Sequence, residues 1–245
     1  MYKELKKRAK ELIIGSKPKA LNVCLVYVLA GMVLNYLGSA ALYRNATDSV
    51  LSGYMNAFSS GDLETAMYYV QQMAPETKGV IIYLLVRAAI KILNVGFTVY
   101  LINVLRNNSP CFGNLLDGFA VIFRLIGLFI LKTALVSLGS ILIVPGIIMS
   151  YSYRLSLYIL LENPEMPVVQ CMRQSRMLMR GHRMELFRLD ISFILWYVAY
   201  MIPYVGSAAS LVGMPYLGMT YLLFYDCLIN GRAPCFPEGL NGSTY

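Results

Sequence analysis

The sequence predicts an all-α membrane protein: six transmembrane helices with short amphipathic cytoplasmic surface helices. Three observations carry this prediction. The chain of 245 residues is 58% hydrophobic and 14% charged, with mean hydropathy +0.58, whereas a soluble domain has roughly 25% charged and 45–50% apolar residues. A soluble core would have to hide its Val, Ile, Leu, Tyr and Phe runs behind too little polar surface, and lipid removes that demand. Apolar runs near the length of about 20 residues that crosses a bilayer recur along the chain. The net charge is +8, and the cations flank the apolar runs. That distribution points to an anionic membrane surface. Nucleic acid is not expected, because neither a recognition helix nor an aromatic platform accompanies the charge.

Residues 1–19 place Leu5, Ala9, Leu12 and Ile13 at helical spacing among Lys3, Lys6, Lys7, Arg8 and Lys10. This is the pattern of a basic amphipathic helix at a membrane surface. Gly15 suits its end and Pro18 restarts the chain. The basic part is long and no small-residue cleavage site follows a short apolar core, so a cleaved signal peptide is not expected. Residues 20–43 form the first span. Residues 44–78 read as a polar loop, with Asp48, Asp62, Glu64 and Glu76 against Arg44 and Lys78, and Asp62 suits the cap of a short helix reaching about Met73. Residues 79–105 form the second span.

Residues 106–122 read as a short link in which Phe112, Leu115, Leu116 and Phe119 make an amphipathic turn. Residues 123–143 form the third span, Val144-Pro145-Gly146 a turn, and residues 147–161 a rather short fourth span. Residues 162–185 are basic, with Pro167 suited to a first helical position and Gly181 to an end. The fifth span begins over 186–201, a turn follows over 203–213, and 214–229 is the sixth span. Residues 1–230 are expected to be a single polytopic membrane domain, and residues 231–245 a flexible cytoplasmic tail.

Lysine and arginine near the spans set the orientation. Lys3, Lys6, Lys7, Arg8, Lys10, Lys17 and Lys19 precede the first span; Arg106 and Arg124 bracket the central link; Arg173, Arg176, Arg180, Arg183 and Arg188 crowd the last one; Arg232 is in the tail. The opposite side has only Arg44 and Lys78. Both termini are therefore expected in the cytoplasm. Cys111, Cys171 and Cys235 fall on that side, and Cys24 and Cys227 within spans, so reduced cysteines are expected.

A surface helix, a glycine and a pair of spans recur, giving an expected three-fold repeat over units 1–105, 106–161 and 162–230, with Gly15, Gly118 and Gly181 at the breaks. The last two units share wording: Phe123-Arg124-Leu125 precedes Phe129-Ile130-Leu131 as Phe187-Arg188-Leu189 precedes Phe193-Ile194-Leu195. Chance resemblance between apolar sequences competes with a true pseudo-repeat.

Charged residues within spans are costly and mark candidate sites. Lys132, Arg154, Asp190 and Asp226 lie at similar depth in four different spans, and the expectation is an inner-leaflet polar cluster in which the two aspartates pair the two cations. Snorkelling to the interface competes with that reading. Arg87, Lys91 and Asn94 share one helical face, continued by Thr98, and form an outer-half polar stripe. The competing reading is a helix that extends beyond the bilayer. Arg173, Arg176, Arg180 and Arg183 are spaced three, four and three, making a basic stripe suited to anionic headgroups or to an acidic partner. His182 is the only histidine and lacks a neighbouring ligand set or nucleophile. No phosphate loop, zinc motif or nucleophile elbow occurs, so neither catalytic residues, a metal nor a cofactor is expected.

Ser175-Arg176-Met177-Leu178-Met179-Arg180-Gly181, followed by Leu186-Phe187-Arg188-Leu189 and Phe193-Ile194-Leu195-Trp196, resembles the signature of the bacterial domain-of-unknown-function 975 family. So do Pro145-Gly146-Ile147-Ile148 with Tyr151 and Tyr153, Leu105-Arg106 with Gly118-Phe119, and Phe224-Tyr225. Leu195 departs from the pattern, which usually has a small residue before the tryptophan. The resemblance implies an integral membrane protein, mainly of Gram-positive bacteria, with no assigned activity. A distant similarity to the membrane domain attached to some glycerophosphodiester phosphodiesterases points to lipid-linked or scaffolding work.

The functional expectation is a non-enzymatic scaffold or accessory protein of the bacterial cell membrane, engaging lipid or another membrane protein through its basic cytoplasmic face. The alternative is a small transporter or channel using the buried charges.

Overall fold

The computed structural model describes residues 2–16, 20–140, 142–202 and 205–230. Pro18, Pro203 and the tail from residue 231 lie outside the described residues. Most of those described are helical, and none lies in a strand. In chain order the helices are α1 (Tyr2–Gly15), α2 (Ala20–Leu42), α3 (Asp48–Ser60), α4 (Leu63–Met73), α5 (Thr77–Arg106), α6 (Ile122–Ser140), α7 (Ile143–Ser152), α8 (Ser156–Glu162), α9 (Val168–Leu178), α10 (Arg183–Ile191), α11 (Ile194–Met201) and α12 (Val205–Asn230).

Among the described residues, five helical stretches are long and apolar enough to cross a membrane: Ala20–Leu42, Thr77–Arg106, Ile122–Ser140, Val144–Glu162 and Ala209–Asn230. The expected fifth span over 186–201 is not among them, because the helix breaks after Ile191. Ser192 Oγ donates to the Leu189 carbonyl at 2.6 Å, and the Phe193 amide reaches Asp190 at 3.0 Å in a tight turn. Serine back-bonding of this kind bends helices. The fourth stretch is also interrupted between Ser152 and Ser156. The break strands backbone carbonyls, and hydroxyls satisfy them: Ser175 Oγ donates to Ser152 O at 2.8 Å and Ser156 Oγ to Tyr153 O at 2.7 Å.

Three further expectations change. The turn over 203–213 is helical from Val205 onward. The link over 106–122 holds two 3-10 turns, Phe112–Leu115 and Asp117–Phe119, rather than an α-helical surface segment. The shared wording of the last two units adopts different backbones, since 123–131 lies within continuous α6 whereas 187–195 crosses the α10–α11 break.

The chain divides into two compact units, one of residues 1–26 with 95–245 and one of residues 27–94. In the first unit α12 is the central helix, with Met219, Leu222, Leu223, Phe224 and Tyr225 at most 2% exposed. The stripe of α1 (Leu5, Ala9 and Ile13) is also buried, because α1 packs against α12. Its apolar face is thus taken by protein. Ser16 links this helix to the next: its hydroxyl donates to Ile13 O and accepts the Ala20 amide, both at 2.8 Å, which caps α2. The 3-10 turn meets α5 at Gly96, where a Cβ would collide with the Leu115 carbonyl.

In the second unit α3 and α4 form an antiparallel hairpin closed at Gly61, whose φ of 77° favours glycine. Asp62 caps α4 as the sequence predicts, accepting the Thr65 amide at 3.1 Å and its hydroxyl at 2.6 Å.

Candidate functional site

The expected inner cluster resolves into two ionic centres, both within the first unit. The first is built around Asp190, near the end of α10. Its Oδ2 accepts Arg154 Nη1 at 2.7 Å and the Tyr151 hydroxyl at 2.9 Å. Its Oδ1 accepts the Tyr221 hydroxyl at 2.6 Å, and that oxygen lies 3.0 Å from the Tyr197 hydroxyl. Arg154 stands in the α7–α8 break, where the loss of helix lets its side chain turn toward α10. The Tyr221 ring lies beneath the guanidinium at 4.7 Å, within cation–π range. The Arg154 and Asp190 side chains retain 33% and 15% exposure.

The second centre joins the ends of three spans. Arg106, last residue of α5, donates Nε to Glu162 Oε1 at 2.9 Å and Nη1 to Asp226 Oδ1 at 2.7 Å. Glu162 ends α8, and its Oε2 accepts the Tyr225 hydroxyl at 2.8 Å. Asp226 also accepts Asn230 Nδ2 at 2.6 Å. The planar fork of arginine makes this double pairing possible, which a lysine could not match. Asp226 therefore pairs with Arg106, and neither Lys132 nor Arg154 is its partner in these contacts.

Lys132 lies apart from both carboxylates. With Phe129, Thr133, Val136, Ser137, Ser140 and Ser150 it lines an open groove of ≈ 460 Å³ along α6 and α7. Among the described residues it makes no salt bridge.

Arg173 and Arg176 on α9 and Arg180 in the turn that follows it are exposed, and none of the three makes a salt bridge among the described residues. Cys171, Met172 and Ser175 form the opposite, buried face. Burial raises the Cys171 thiol above the usual cysteine pKa. Arg183 is half-buried, and its Nε has no hydrogen-bond partner. The stripe is thus three exposed cations followed by one that turns inward past Gly181, whose φ is 83°.

Arg87 and Lys91 are exposed on α5 in the second unit. Arg87 lies 5.7 Å from the Tyr83 ring, and Asn94 donates to the Tyr27 hydroxyl at 3.1 Å. His182 Nδ1 sits 3.0 Å from Glu185 Oε2. No group of three potential metal ligands occurs among the described residues. Cys24, Cys111 and Cys171 are free thiols. Cys227 is disulfide-bonded, which overturns the expectation of a reduced thiol there; Cys235 lies outside the described residues.

The sequence reading does not place Arg106, Glu162 or the tyrosine hydroxyls at 151, 221 and 225 in the charged cluster, although Arg106, Tyr151 and Tyr225 carry part of the family resemblance. Arg106 and Glu162 fall at predicted span ends, where snorkelling explains a charge without any partner. The usable signal was Tyr221 and Tyr225 at helical spacing beside Asp226 on one span. Lys6 was also missed. Its Nζ donates to Ser192 O at 3.1 Å and lies 4.1 Å from the Phe193 ring, so α1 caps the break between α10 and α11. Burial lowers the pKa of this lysine.

The family model described as Protein of unknown function (DUF975) matches residues 1–231. The chain belongs to this family. Neither a curated protein nor a solved structure matches the DUF975 chain. Membership brings no activity with it, so the chemistry rests on the geometry. Asp190 accepts three donors and Arg106 is held by two carboxylates, which ties the helices that carry them together.

Proposed function

We propose that this DUF975 chain is a non-enzymatic scaffold or accessory protein of the bacterial cell membrane, engaging anionic lipid headgroups or a membrane-protein partner through a basic cytoplasmic face. The observation that carries this reading is the stripe on α9 and the turn after it. Arg173, Arg176 and Arg180 stand exposed without carboxylate partners among the described residues, whereas Arg106 and Arg154 are paired with Glu162, Asp226 and Asp190. Each such cation contributes about 1 kcal/mol toward an anionic leaflet. In this reading α10 and α11 together make a sixth, bent span, and both termini face the cytoplasm, as the distribution of lysine and arginine favours. The shared wording of the last two units supports a repeat, which their differing backbones weaken.

A second reading, a small transporter or channel, draws support from Lys132. A cation within a span is costly when unpaired, and this one lines a groove with four hydroxyl-bearing residues. Purified protein reconstituted into vesicles separates the two. Copurification of a partner or of anionic lipid, lost on combined Arg173→Glu, Arg176→Glu and Arg180→Glu, is the outcome expected of a scaffold. Solute flux that disappears in Lys132→Ala or Asp190→Asn would replace it with the transport reading.

A further inference from the structure

The α3–α4 hairpin has two different faces. Gly53 packs against the Tyr69 ring, and Ala57 and Ala66 are buried, which fixes the line along which the helices face each other. Leu51, Met55 and Phe58 on α3 follow an i, i+4, i+7 spacing, as do Leu63, Met67 and Val70 on α4. All six are 50–67% exposed. The stripe lies roughly two-fifths of a turn from the inward line on α3 and roughly a quarter on α4, in the same rotational sense. Because the helices run antiparallel, the same sense puts both stripes on one side of the hairpin. Asn56 and Gln72 are exposed on the other side. A contiguous apolar face of this kind marks a site that something covers.

We propose that the bilayer covers it: the hairpin lies on the membrane as an amphipathic plate, its apolar face at the headgroup–acyl boundary. This rests on the reading of α2 and α5 as spans. α3 follows α2 after residues 43–47, and α4 precedes α5 by residues 74–76. Asn45 Nδ2 donates to Ala74 O at 3.3 Å, tying the two connections together. Links this short hold the hairpin within roughly 17 Å of where the spans emerge. Charge agrees with an apolar seat. Residues 45–77 contain Asp48, Asp62, Glu64 and Glu76 and not one lysine or arginine, so attraction to anionic lipid cannot hold the hairpin down. Buried apolar area then supplies the binding, and the hairpin's attachment is insensitive to lipid charge.

The test uses the full chain with its single tryptophan removed (Trp196→Phe), reconstituted in phosphatidylcholine vesicles containing bromine-labelled acyl chains. A reporter is introduced singly as Met55→Trp or Met67→Trp on the apolar face and as Asn56→Trp or Gln72→Trp on the polar one. Leu29→Trp in α2 reports on the span itself. The expected result is blue-shifted emission quenched by the brominated lipid at 55 and 67, quenching by aqueous iodide instead at 56 and 72, and the same pattern when a fifth of the lipid is replaced by phosphatidylglycerol, roughly the anionic content that gives a strong surface potential. Iodide quenching at all four hairpin positions overturns the proposal. So does protection at 55 and 67 from both quenchers, which would mean that a second copy or another protein covers the face. If the reporter at 29 also escapes lipid quenching, the spans themselves are misread; if it alone is quenched by lipid, only the hairpin's seat is wrong.

Discussion

Arg154 and Asp190 meet at 2.7 Å from two segments that are both broken where the pair forms or close beside it. Arg154 occupies the gap between α7 and α8, and Asp190 precedes the gap between α10 and α11 by one residue, Ile191. Unwinding frees the arginine from the α-helical path and directs it at a carboxylate already held by two tyrosine hydroxyls. The breaks and the ion pair are one arrangement: serine hydroxyls and Lys6 take up backbone carbonyls released by the bends, and the pair fixes the bent segments against α12 through Tyr221.

Removing Asp190 should therefore cost more than removing the pair. Breaking one side of a buried pair costs about 3–5 kcal/mol, whereas replacing both partners with apolar groups is often neutral. Because the Arg154 side chain keeps 33% exposure, Asp190→Ala is expected at the lower end, about 3 kcal/mol. The Arg154→Met, Asp190→Leu double variant should recover most of it. Reversible unfolding by titration of dodecyl sulfate into detergent micelles measures both. Equal losses in single and double variants would mean that the pair is incidental to the fold.

The sequence makes the membrane class legible because its evidence is composition and run length, which do not depend on packing. It also marks Asp62 as a cap and places Arg154 and Asp190 in one cluster of buried charge, without saying which aspartate meets which cation. It misplaces Asp226, because depth alone cannot tell which neighbour sits beside a helix; Arg106 was closer than either cation in the spans considered. The α10–α11 bend was illegible for a similar reason. Ser192 reads as a tolerable polar residue in an apolar run, and the Lys6 ammonium that takes up its carbonyl comes from a distant segment. The hairpin in residues 44–78 was half visible: α4 has a recognisable cap, whereas the Thr47 side chain makes no capping bond at the start of α3.

Two glycines should respond in opposite ways. Gly96 lies where a Cβ would collide with the Leu115 carbonyl, while nothing lies within 4 Å of a Cβ at Gly15. Gly96→Ala is expected to destabilise by about 1–3 kcal/mol as an overpacked contact. Gly15→Ala, at the end of α1, should be neutral or slightly stabilising. The same unfolding titration compares them, and a harmless Gly96→Ala would show that α5 and the 3-10 turn are farther apart than described.

The hairpin cap should depend on pH. The Thr65 hydroxyl, and then its backbone amide, hydrogen-bond to the Asp62 carboxylate and lower its pKa. The unperturbed value is about 3.9, so the folded value lies below that. A depressed carboxylate pKa stabilises α4 fully above the unfolded value and loses that contribution as pH falls through the folded one. Amide exchange at Thr65, corrected for its intrinsic rate, should lose protection in that acidic window. Asp62→Ala should show the loss at every pH; protection unchanged in that variant would remove Asp62 as the cap.

The exposed arginines of α9 and the turn after it, Arg173, Arg176 and Arg180, are proposed to hold anionic lipid or an acidic partner. The most direct measurement is the lipid selectivity of the protein in mixed bilayers, read by spin-labelled phosphatidylglycerol against spin-labelled phosphatidylcholine, for the natural chain and for Arg173→Glu, Arg176→Glu, Arg180→Glu combined. The expected result is a preference for phosphatidylglycerol that weakens with added salt, as interactions of exposed charges do, and falls in the triple variant by up to about 1 kcal/mol for each arginine. Identical selectivity in the two proteins, together with no partner lost on charge reversal, would contradict it.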